Sequence, residues 1–332
     1  MGVKTFQAED EIAAACATIG AAFAGALAIT TTSGPGIALK GEAIGLGMIT
    51  ELPMVVINIQ RGGPSTGLPT KTEQSDLLQA LYGRNGESPL PVVAASTPAD
   101  CFDAALEACR IALRHMLPVF LLTDGYLANG SEPWRFPNMD DLDAIDVNFH
   151  TDADTYKPYG RDENWARPWA IPGTPNLEHR LGGLEKEHET GNVSYDPDNH
   201  QFMTNMRAAK VAKVADFIPP TEVYGDDSGE TLLLGWGSTF GAIRAAVNRS
   251  RADGVDVSHV HLRHLNPLPK DLGDILSRFK RVIVPEMNDG QLAFVVRGRL
   301  GVDVESLPKV KGKPFKISEI QAAIHHQKGD SA

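Results

Sequence analysis

Cysteine is scarce in this chain, which has three cysteines among 332 residues, namely Cys16, Cys101 and Cys109. The number is odd and no pair has the Cys-x-x-Cys spacing. We therefore expect no disulfide framework and no iron–sulfur cluster held by this chain alone. Cysteine usage of this kind is typical of a reducing compartment, so we expect a cytoplasmic protein.

Positive charge is also in short supply, because 42 Asp and Glu residues outnumber 31 Lys and Arg residues and give a net charge of −11. A nucleic acid or an anionic membrane surface would repel such a chain, so we expect neither as a partner. The apolar stretch IAAACATIGAAFAGALAI is rich in alanine and glycine. It indicates a helix packed inside the protein rather than a membrane span or a signal peptide.

Several motifs of cofactor and metal sites are missing. The glycines of GPGIALKG have the spacing G-x-G-x-x-x-x-G, and the next strand ends in Asn58 rather than an acid, which disfavours dinucleotide binding. Asp124 in TDG lacks the leading glycine of a diphosphate–magnesium motif, and we expect a proline-rich loop after it, so we interpret Asp124 as a turn residue. The histidines lack metal-ligand spacing, and we predict no metal site in this chain.

Strand-like and helix-like segments alternate at the start of the chain. Thr70 and Glu73 have the spacing of a capping box, which predicts a helix beginning there. Apolar strands that alternate with helices are typical of a parallel sheet. The predicted elements are helices at 8–23, 37–49, 70–83 and 97–115, and strands at 26–33, 54–59, 90–95 and 118–123.

The alternation stops at Asp124 and resumes at Glu230. Prolines, aspartates and scattered tryptophans replace periodicity between them, which predicts a long ordered excursion that ends in a helix starting near Met203. We thus predict an α/β fold with two open, mostly parallel sheet domains. The first covers residues 1–225, with its excursion at 125–205, and the second covers residues 226–332.

Six segments resemble the alpha subunit of 2-oxoacid:ferredoxin oxidoreductases, most of all the 2-oxoglutarate type. The resemblance covers nearly the whole chain, including RPWAIPGTPNLEHRLGGLEKE in the excursion. It implies a thiamine-diphosphate pyrimidine-binding-type domain followed by a domain similar to the carboxyl-terminal domain of transketolases. The six segments are QAEDEIAA, TTTSGPGIALKGEAIGLG, RGGPSTGLPTKTEQSDL, GWGSTFGAI, LRHLNPLP and VPEMNDGQL.

The resemblance also implies an activity. The complex would decarboxylate 2-oxoglutarate with coenzyme A to succinyl-CoA and reduce ferredoxin. Thiamine diphosphate would be shared with a beta subunit in a hetero-oligomer, and that beta subunit would hold Mg²⁺ and [4Fe-4S]. Pyruvate or a branched-chain 2-oxoacid stays open as the substrate. Two other functions stay open. One is a truncated, non-catalytic module that docks a beta subunit. The other is a thiamine-dependent synthase that does not use ferredoxin, or a transketolase-like transferase.

The family's motifs place cofactor residues on the first helix and on the loop after the first strand. The resemblance implies that Glu11 contacts the aminopyrimidine ring of thiamine diphosphate, and that Ser33 and Gly34 lie near the cofactor. Taken from the residues alone, Glu11 is an acid favoured by the dipole at a helix start. The segment TTTSGPG could equally be a plain strand-to-helix turn.

Arg61 follows an apolar strand and opens a loop rich in glycine and hydroxyl groups. The resemblance implies that Arg61 binds the substrate carboxylate, which an arginine fork can grip with two hydrogen bonds. Thr66, Thr70 and Lys71 would add hydroxyl groups and a second positive charge for a dicarboxylic acid. From the residues alone, Thr70 could serve only as a helix cap and Lys71 could be solvated.

The start of the chain departs from the family pattern. Family members carry a Tyr-Pro-hydrophobic-Thr-Pro motif before the first helix, and many carry an amino-terminal gamma-type domain, whereas ten residues precede Glu11 here. The notable polar residues of the second domain, Arg263, Asn266 and Glu286, are expected to be structural. The catalytic candidates are therefore Glu11 and Arg61.

Overall fold

Two five-stranded sheets form the framework of the computed structural model, which describes residues 2–326. The first elements are α1 (Glu11–Phe23), β1 (Ala28–Thr32), α2 (Gly34–Leu39), α3 (Gly41–Thr50), β2 (Met54–Gln60), α4 (Leu77–Tyr82), β3 (Val92–Ala94), α5 (Asp100–His115), β4 (Pro118–Asp124) and α6 (Gly125–Asn129). The later elements are α7 (Pro197–Lys213), β5 (Val223–Tyr224), β6 (Gly229–Trp236), α8 (Phe240–Ala252), β7 (Val257–Leu262), β8 (His264–Asn266), α9 (Leu272–Leu276), β9 (Phe279–Glu286), α10 (Gln291–Leu300), β10 (Glu305–Pro308) and α11 (Ile317–His325).

Both sheets are open and mostly parallel, as predicted. The first has the strand order β1-β2-β4-β3-β8, and the second has the order β10-β9-β6-β7-β5. β8 and β5 pair antiparallel with their neighbours, and the other pairings are parallel. Every residue of β4 is buried, as expected for a strand covered by helices on both faces.

Two strands pair across the predicted domain boundary, and the two sheets share one core. β8 follows β7 along the chain, yet it pairs with β3 in the first sheet. β5 precedes β6 and pairs with β7 in the second sheet. A single apolar cluster contains Val93 of β3 together with Trp236 and Leu262 of the second sheet. The division at 225/226 remains a prediction, since packing is continuous across it.

Several elements differ from the sequence predictions. The helix predicted at 37–49 begins earlier and is two helices, α2 and α3, which meet at Lys40. The helix predicted to begin at Thr70 begins at Leu77, so the capping-box prediction was wrong. Thr70 has a φ of 63°, a left-handed conformation that cannot continue into a helix. The loop that contains Thr70 is closed by other backbone hydrogen bonds, which hold it in this conformation.

The segment after β4 is another difference. We expected a proline-rich loop, but the short helix α6 follows Asp124 directly. Asp124 caps it, accepting hydrogen bonds from the Tyr126 and Leu127 backbone amides at 2.8 and 3.3 Å. The Thr72 hydroxyl donates to the same carboxylate at 2.9 Å. Asp124 is thus a helix cap, which satisfies the free amides of the first turn.

The excursion is ordered by a few buried anchors. Between α6 and α7 the structure holds one 3₁₀ turn at Met139–Asp141 and isolated bridges. Trp169 Nε1 donates to Ala22 O at 3.1 Å, and Arg167 Nε donates to Thr50 O at 3.1 Å. The helix that ends the excursion begins at Pro197, six residues before the predicted start. Within residues 2–326, no helix is long and apolar enough to cross a membrane.

Candidate functional site

The site candidates gather at the carboxyl ends of β1 and β2. These strands are parallel neighbours, with Thr32 opposite Asn58. α2 starts immediately after β1, and Ser33 is its N-cap residue without a side-chain capping bond. Ligands of open α/β sheets bind outside the carboxyl ends of strands, so this edge is the expected place for a site.

Glu11 lies against α2. It is the first residue of α1, behind Asp10, whose carboxylate accepts a hydrogen bond from the Ala13 backbone amide at 2.7 Å. A Cβ atom added to Gly36 would lie 2.7 Å from Glu11 Cγ and would overlap the Thr32 hydroxyl. A glycine is therefore required at position 36 for Glu11 to reach this place.

Lys40 lies buried behind the same helix and was not singled out from the sequence. Its side chain is fully buried, and Nζ donates to the Thr30 hydroxyl at 2.6 Å. Burial lowers the pKa of Lys40, while the negative charge of Glu11 opposes that shift. A lysine between the small and apolar residues of GPGIALKG was a signal that sequence analysis could have used.

The buried Asn58 and the half-buried Asp76 form a second polar group next to Gly34. A Cβ atom on Gly34 would lie 2.9 Å from Asp76 Oδ2. Asn58 Nδ2 donates to the same oxygen at 2.9 Å, and within the described chain Asn58 Oδ1 is buried without a hydrogen-bond donor. Burial raises the pKa of Asp76, as does Glu73, while the bond from Asn58 opposes the rise. Sequence analysis missed Asp76, which follows the loop at no regular spacing.

Arg61 directly follows β2 and has an unused donor. Its side chain is half-buried, and its Nε is buried without a hydrogen-bond acceptor among residues 2–326. The preceding Gln60 accepts a hydrogen bond from the Asp76 backbone amide at 3.1 Å. Direct contacts thus run from Glu11 through α2 and Asp76 to the residue beside Arg61. The structure brings Glu11, Gly34 and Arg61 to one sheet edge.

The loop after Arg61 is closed by its own backbone. Gly62 N donates to Lys71 O, and Leu68 N donates to Gly62 O, each at 2.9 Å. Gly67 has a φ of 44°, and a Cβ atom there would overlap the Gly62 carbonyl, so this position also requires glycine. Thr66, Thr70 and Lys71 are exposed. Their side chains form no hydrogen bond to another described residue, so no such bond joins them to the buried part of the site.

The second sheet holds the end of this loop. Gln74 N donates to Met287 O at 2.8 Å, and Met287 N donates to Gln74 Oε1 at 3.0 Å. Glu286, next to Met287, is buried and accepts bonds from Trp236 Nε1 at 3.1 Å and from the Leu292 backbone amide at 2.7 Å. Such internal bonds are those of a structural residue. Asn266 donates to Leu90 O, likewise within the chain, whereas Arg263 uses one of its amino groups to pair with Asp100.

Family models match most of the chain. Residues 1–196 match the model described as pyruvate flavodoxin/ferredoxin oxidoreductase, thiamine diphosphate-binding. Residues 229–322 match the model of pyruvate:ferredoxin oxidoreductase core domain II.

Curated relatives align over nearly the full chain. The 2-oxoglutarate oxidoreductase subunit KorA of Mycobacterium tuberculosis is 57% identical over 96% of this chain and 49% of its own length. The 2-oxoglutarate synthase subunit KorA of Methanocaldococcus jannaschii is 32% identical over 98% of this chain and 87% of its own length. This chain spans about half the length of the first of these relatives.

Two solved structures are similar. The 2-oxoglutarate:ferredoxin oxidoreductase from Magnetococcus marinus, with 2-oxoglutarate, coenzyme A and succinyl-CoA bound, is 37% identical. It has a TM-score of 0.90 and is matched over 97% of this chain and 56% of that one. A split-gene transketolase, an inactive tetramer, is 11% identical over 93% of this chain and 78% of its own, with a TM-score of 0.50. The second match shows the fold alone.

Proposed function

Because the chain belongs to the family of 2-oxoacid:ferredoxin oxidoreductase alpha subunits, we propose that it acts within a 2-oxoglutarate:ferredoxin oxidoreductase. That complex would convert 2-oxoglutarate and coenzyme A to succinyl-CoA and CO₂ and pass two electrons to ferredoxin. The observation that carries this proposal is the match over 97% of the chain to an enzyme solved with 2-oxoglutarate, coenzyme A and succinyl-CoA.

The residues at the edge of β1 and β2 fit thiamine diphosphate. A carboxylate lies directly against a glycine of α2, and the small side chains of α1 follow it. When bound, this cofactor supplies a nucleophilic carbon and an electron sink for the loss of CO₂ from a 2-oxoacid. The Glu11 carboxyl would exchange a proton with a ring nitrogen of the aminopyrimidine. Ser33 and Gly34 would line the space beside that ring.

Arg61 would hold the carboxylate of the 2-oxoacid. The guanidinium forms paired hydrogen bonds with a carboxylate, and the buried Nε without an acceptor supports a ligand at this place. Thr66, Thr70 and Lys71 are exposed on the loop that Arg61 opens, and they would bind the far carboxylate of 2-oxoglutarate. Binding the substrate in one orientation places its 2-oxo carbon for attack.

The other components belong to a partner in this proposal. We place Mg²⁺ and [4Fe-4S] in a beta subunit, which would share thiamine diphosphate with this chain in a hetero-oligomer. The three cysteines of this chain lie apart on α1 and α5 and form no disulfide. Residues 2–326 hold no group of three or more His, Cys, Asp or Glu side chains that could bind a metal. Ferredoxin would be reached through the complex.

Pyruvate is a second candidate substrate, because both matching family models carry pyruvate in their descriptions. The deciding experiment uses this chain co-expressed with a beta-type subunit of the same family and with any polypeptide that supplies the remaining family segments. Viologen reduction with coenzyme A and thiamine diphosphate is measured for 2-oxoglutarate and for pyruvate.

We expect reduction with 2-oxoglutarate at a kcat/KM at least about tenfold above that with pyruvate. Activity with pyruvate alone would keep the reaction and replace the substrate. An assembled complex that contains cluster and cofactor but reduces viologen with neither acid would contradict the enzyme function and support a docking module.

A further inference from the structure

A separate cavity of about 280 Å³ lies between the two sheets, away from Glu11 and Arg61. Residues at the ends of β3 and β7, the start of α5 and the first turns of α8 line it together with β5. Its volume lies near the lower end of pockets that hold small molecules, roughly 300–1,000 Å³. The residues that give it charge are Asp100, Glu222, Arg244 and Arg263.

Arg244 brings an uncompensated positive charge to this cavity. Its guanidinium lies 3.6 Å from the ring centroid of Tyr224 and 5.1 Å from that of Phe240. Its Nε donates to His259 Nδ1 at 3.3 Å. None of the described carboxylates pairs with it, and its two terminal amino groups have no acceptor within residues 2–326. Stacking on Tyr224 orients the planar group without using those donors.

Arg263 brings a second unused donor. One of its amino groups pairs with Asp100, but Nη1 is buried and has no acceptor in the described part of the chain. The other Asp100 oxygen accepts bonds from the Ser96 backbone amide and hydroxyl at 2.8 and 2.7 Å. Asp100 is therefore fully engaged and leaves Nη1 free for another acceptor. Glu222 is exposed and makes no ion pair with either arginine in residues 2–326.

Burial lowers the pKa of both histidines of the cavity and keeps them neutral, and hydrogen bonds set which ring nitrogen carries the proton. Arg244 donates to His259 Nδ1, so His259 carries its proton on Nε2 and donates it to His261 Nδ1 at 3.3 Å. His261 Nε2 then donates to Gly237 O at 3.0 Å. Burial lowers the pKa of His261 to about 4. The positive charge facing the cavity therefore comes from arginine and persists at neutral pH.

We propose that this cavity binds the oxyanion of a small ligand, a carboxylate or phosphate group held by Arg244 and Arg263. A planar oxyanion or a phosphate accepts hydrogen bonds from several guanidinium donors at once, and such donors are left over here on two arginines. The site does not depend on the proposed reaction, because the residues that line the cavity include none from α1, α2 or the loop after β2.

The test is isothermal titration calorimetry of the full chain in phosphate-free buffer at constant ionic strength. Inorganic phosphate and succinate are titrated separately, which distinguishes a phosphate from a carboxylate ligand. We expect one of them to bind with a Kd of about 1 mM or tighter. Arg244→Gln should weaken that binding by about tenfold or more, since it removes both the positive charge and the paired donors of the guanidinium group.

One control locates the binding. Arg249→Gln removes the same charge at an exposed position of the same helix. It should leave the Kd within about twofold. If circular dichroism shows that Arg244→Gln does not fold, Arg263→Gln is the second test. Arg263→Gln must weaken binding too. Saturation by neither anion, or an equal loss in Arg249→Gln, would overturn the proposal.

Discussion

Single residues acquire a role here from what surrounds them. Glu11 in sequence is one of three acids at a helix start, and any of them would suit the helix dipole. In the structure Glu9 and Asp10 are exposed, whereas Glu11 is half-buried against Gly36. Arg61 is likewise distinguished from surface arginines by its buried Nε.

Glu11→Gln tests the first of these roles. The amide keeps the shape of the side chain but cannot exchange the proton, so turnover should fall by at least about a hundredfold while assembly with the beta subunit survives. Viologen reduction and co-purification measure the two effects. Glu9→Gln, an exposed acid nearby, should retain activity. Undiminished turnover of assembled Glu11→Gln would refute the assignment.

Arg61→Ala tests the second role. Loss of a paired hydrogen bond to the substrate carboxylate should raise the KM for the 2-oxoacid by about tenfold or more and change kcat less. Steady-state kinetics of the assembled complex separate the two constants. Arg180→Ala removes the same charge from an exposed position and should leave KM unchanged. A fall in kcat with constant KM would place Arg61 outside the substrate site.

At the scale of elements, the junction from β1 into α2 positions the site. α2 begins directly at Gly34 and ends at Leu39, where Lys40 turns the chain into α3. A single helix from residue 37 to 49, as predicted, would leave no helix start beside Glu11 and no reason for glycine at 36. The short helix therefore sets the distance between α1 and the sheet edge.

Gly36→Ala should reduce activity by about tenfold or more, because the added methyl group would displace Glu11 and Thr32. Gly45→Ala on α3 is the matched control, since a Cβ atom there meets nothing within 4 Å. A helical glycine replaced by alanine without a clash usually gains about 1 kcal/mol of stability. Kinetics and thermal unfolding of both variants test this. Equal activity of the two variants would show that α2 and Glu11 need no close contact.

At the scale of the whole molecule, a buried ion network ties the excursion to the first sheet. Glu51, at the end of α3, pairs with Arg161 of the excursion and with Lys210 of α7, and all three side chains are buried. Burial alone would raise the pKa of Glu51, but Lys210 and Arg161 hold it below the ordinary carboxyl value. One carboxylate thus joins three distant segments.

Glu51→Gln should lower the free energy of unfolding by about 3–5 kcal/mol, because it leaves two buried cations without a charge partner. Denaturant unfolding measures the loss. The control, Glu189→Gln, breaks the exposed pair with Lys157 and should change stability little. A similar small effect of both variants would contradict a stabilising role for the network.

The same network predicts a pH dependence. The pKa of Glu51 is lower in the folded state than in the unfolded chain. Its contribution is therefore fully present above the unfolded pKa and is lost as pH falls through the folded pKa. In unfolding measured from neutral to acid pH, the difference between wild type and Glu51→Gln should shrink on acidification. A difference that stays constant would exclude this linkage.

Local patterns along the chain predict the sheet type, the long ordered excursion and the family. Apolar runs such as PVFLLT require burial on both faces, and the motifs around Glu11 and Arg61 identify their neighbours along the chain. These features are local, since each depends on residues within one segment. They suffice to name a cofactor carboxylate and a substrate arginine as candidates.

Features that depend on partners far apart along the chain become apparent only in the folded protein. The pairing of β8 with β3, the burial of Lys40 beneath α2 and the left-handed backbone of Thr70 follow from contacts that no local pattern encodes. Met287 and Gln74, which exchange hydrogen bonds, lie 213 residues apart. No helix therefore begins at Thr70, despite its capping-box spacing. The backbone hydrogen bonds of Gly62 and the bond of Gln74 to Met287 hold this loop in another conformation.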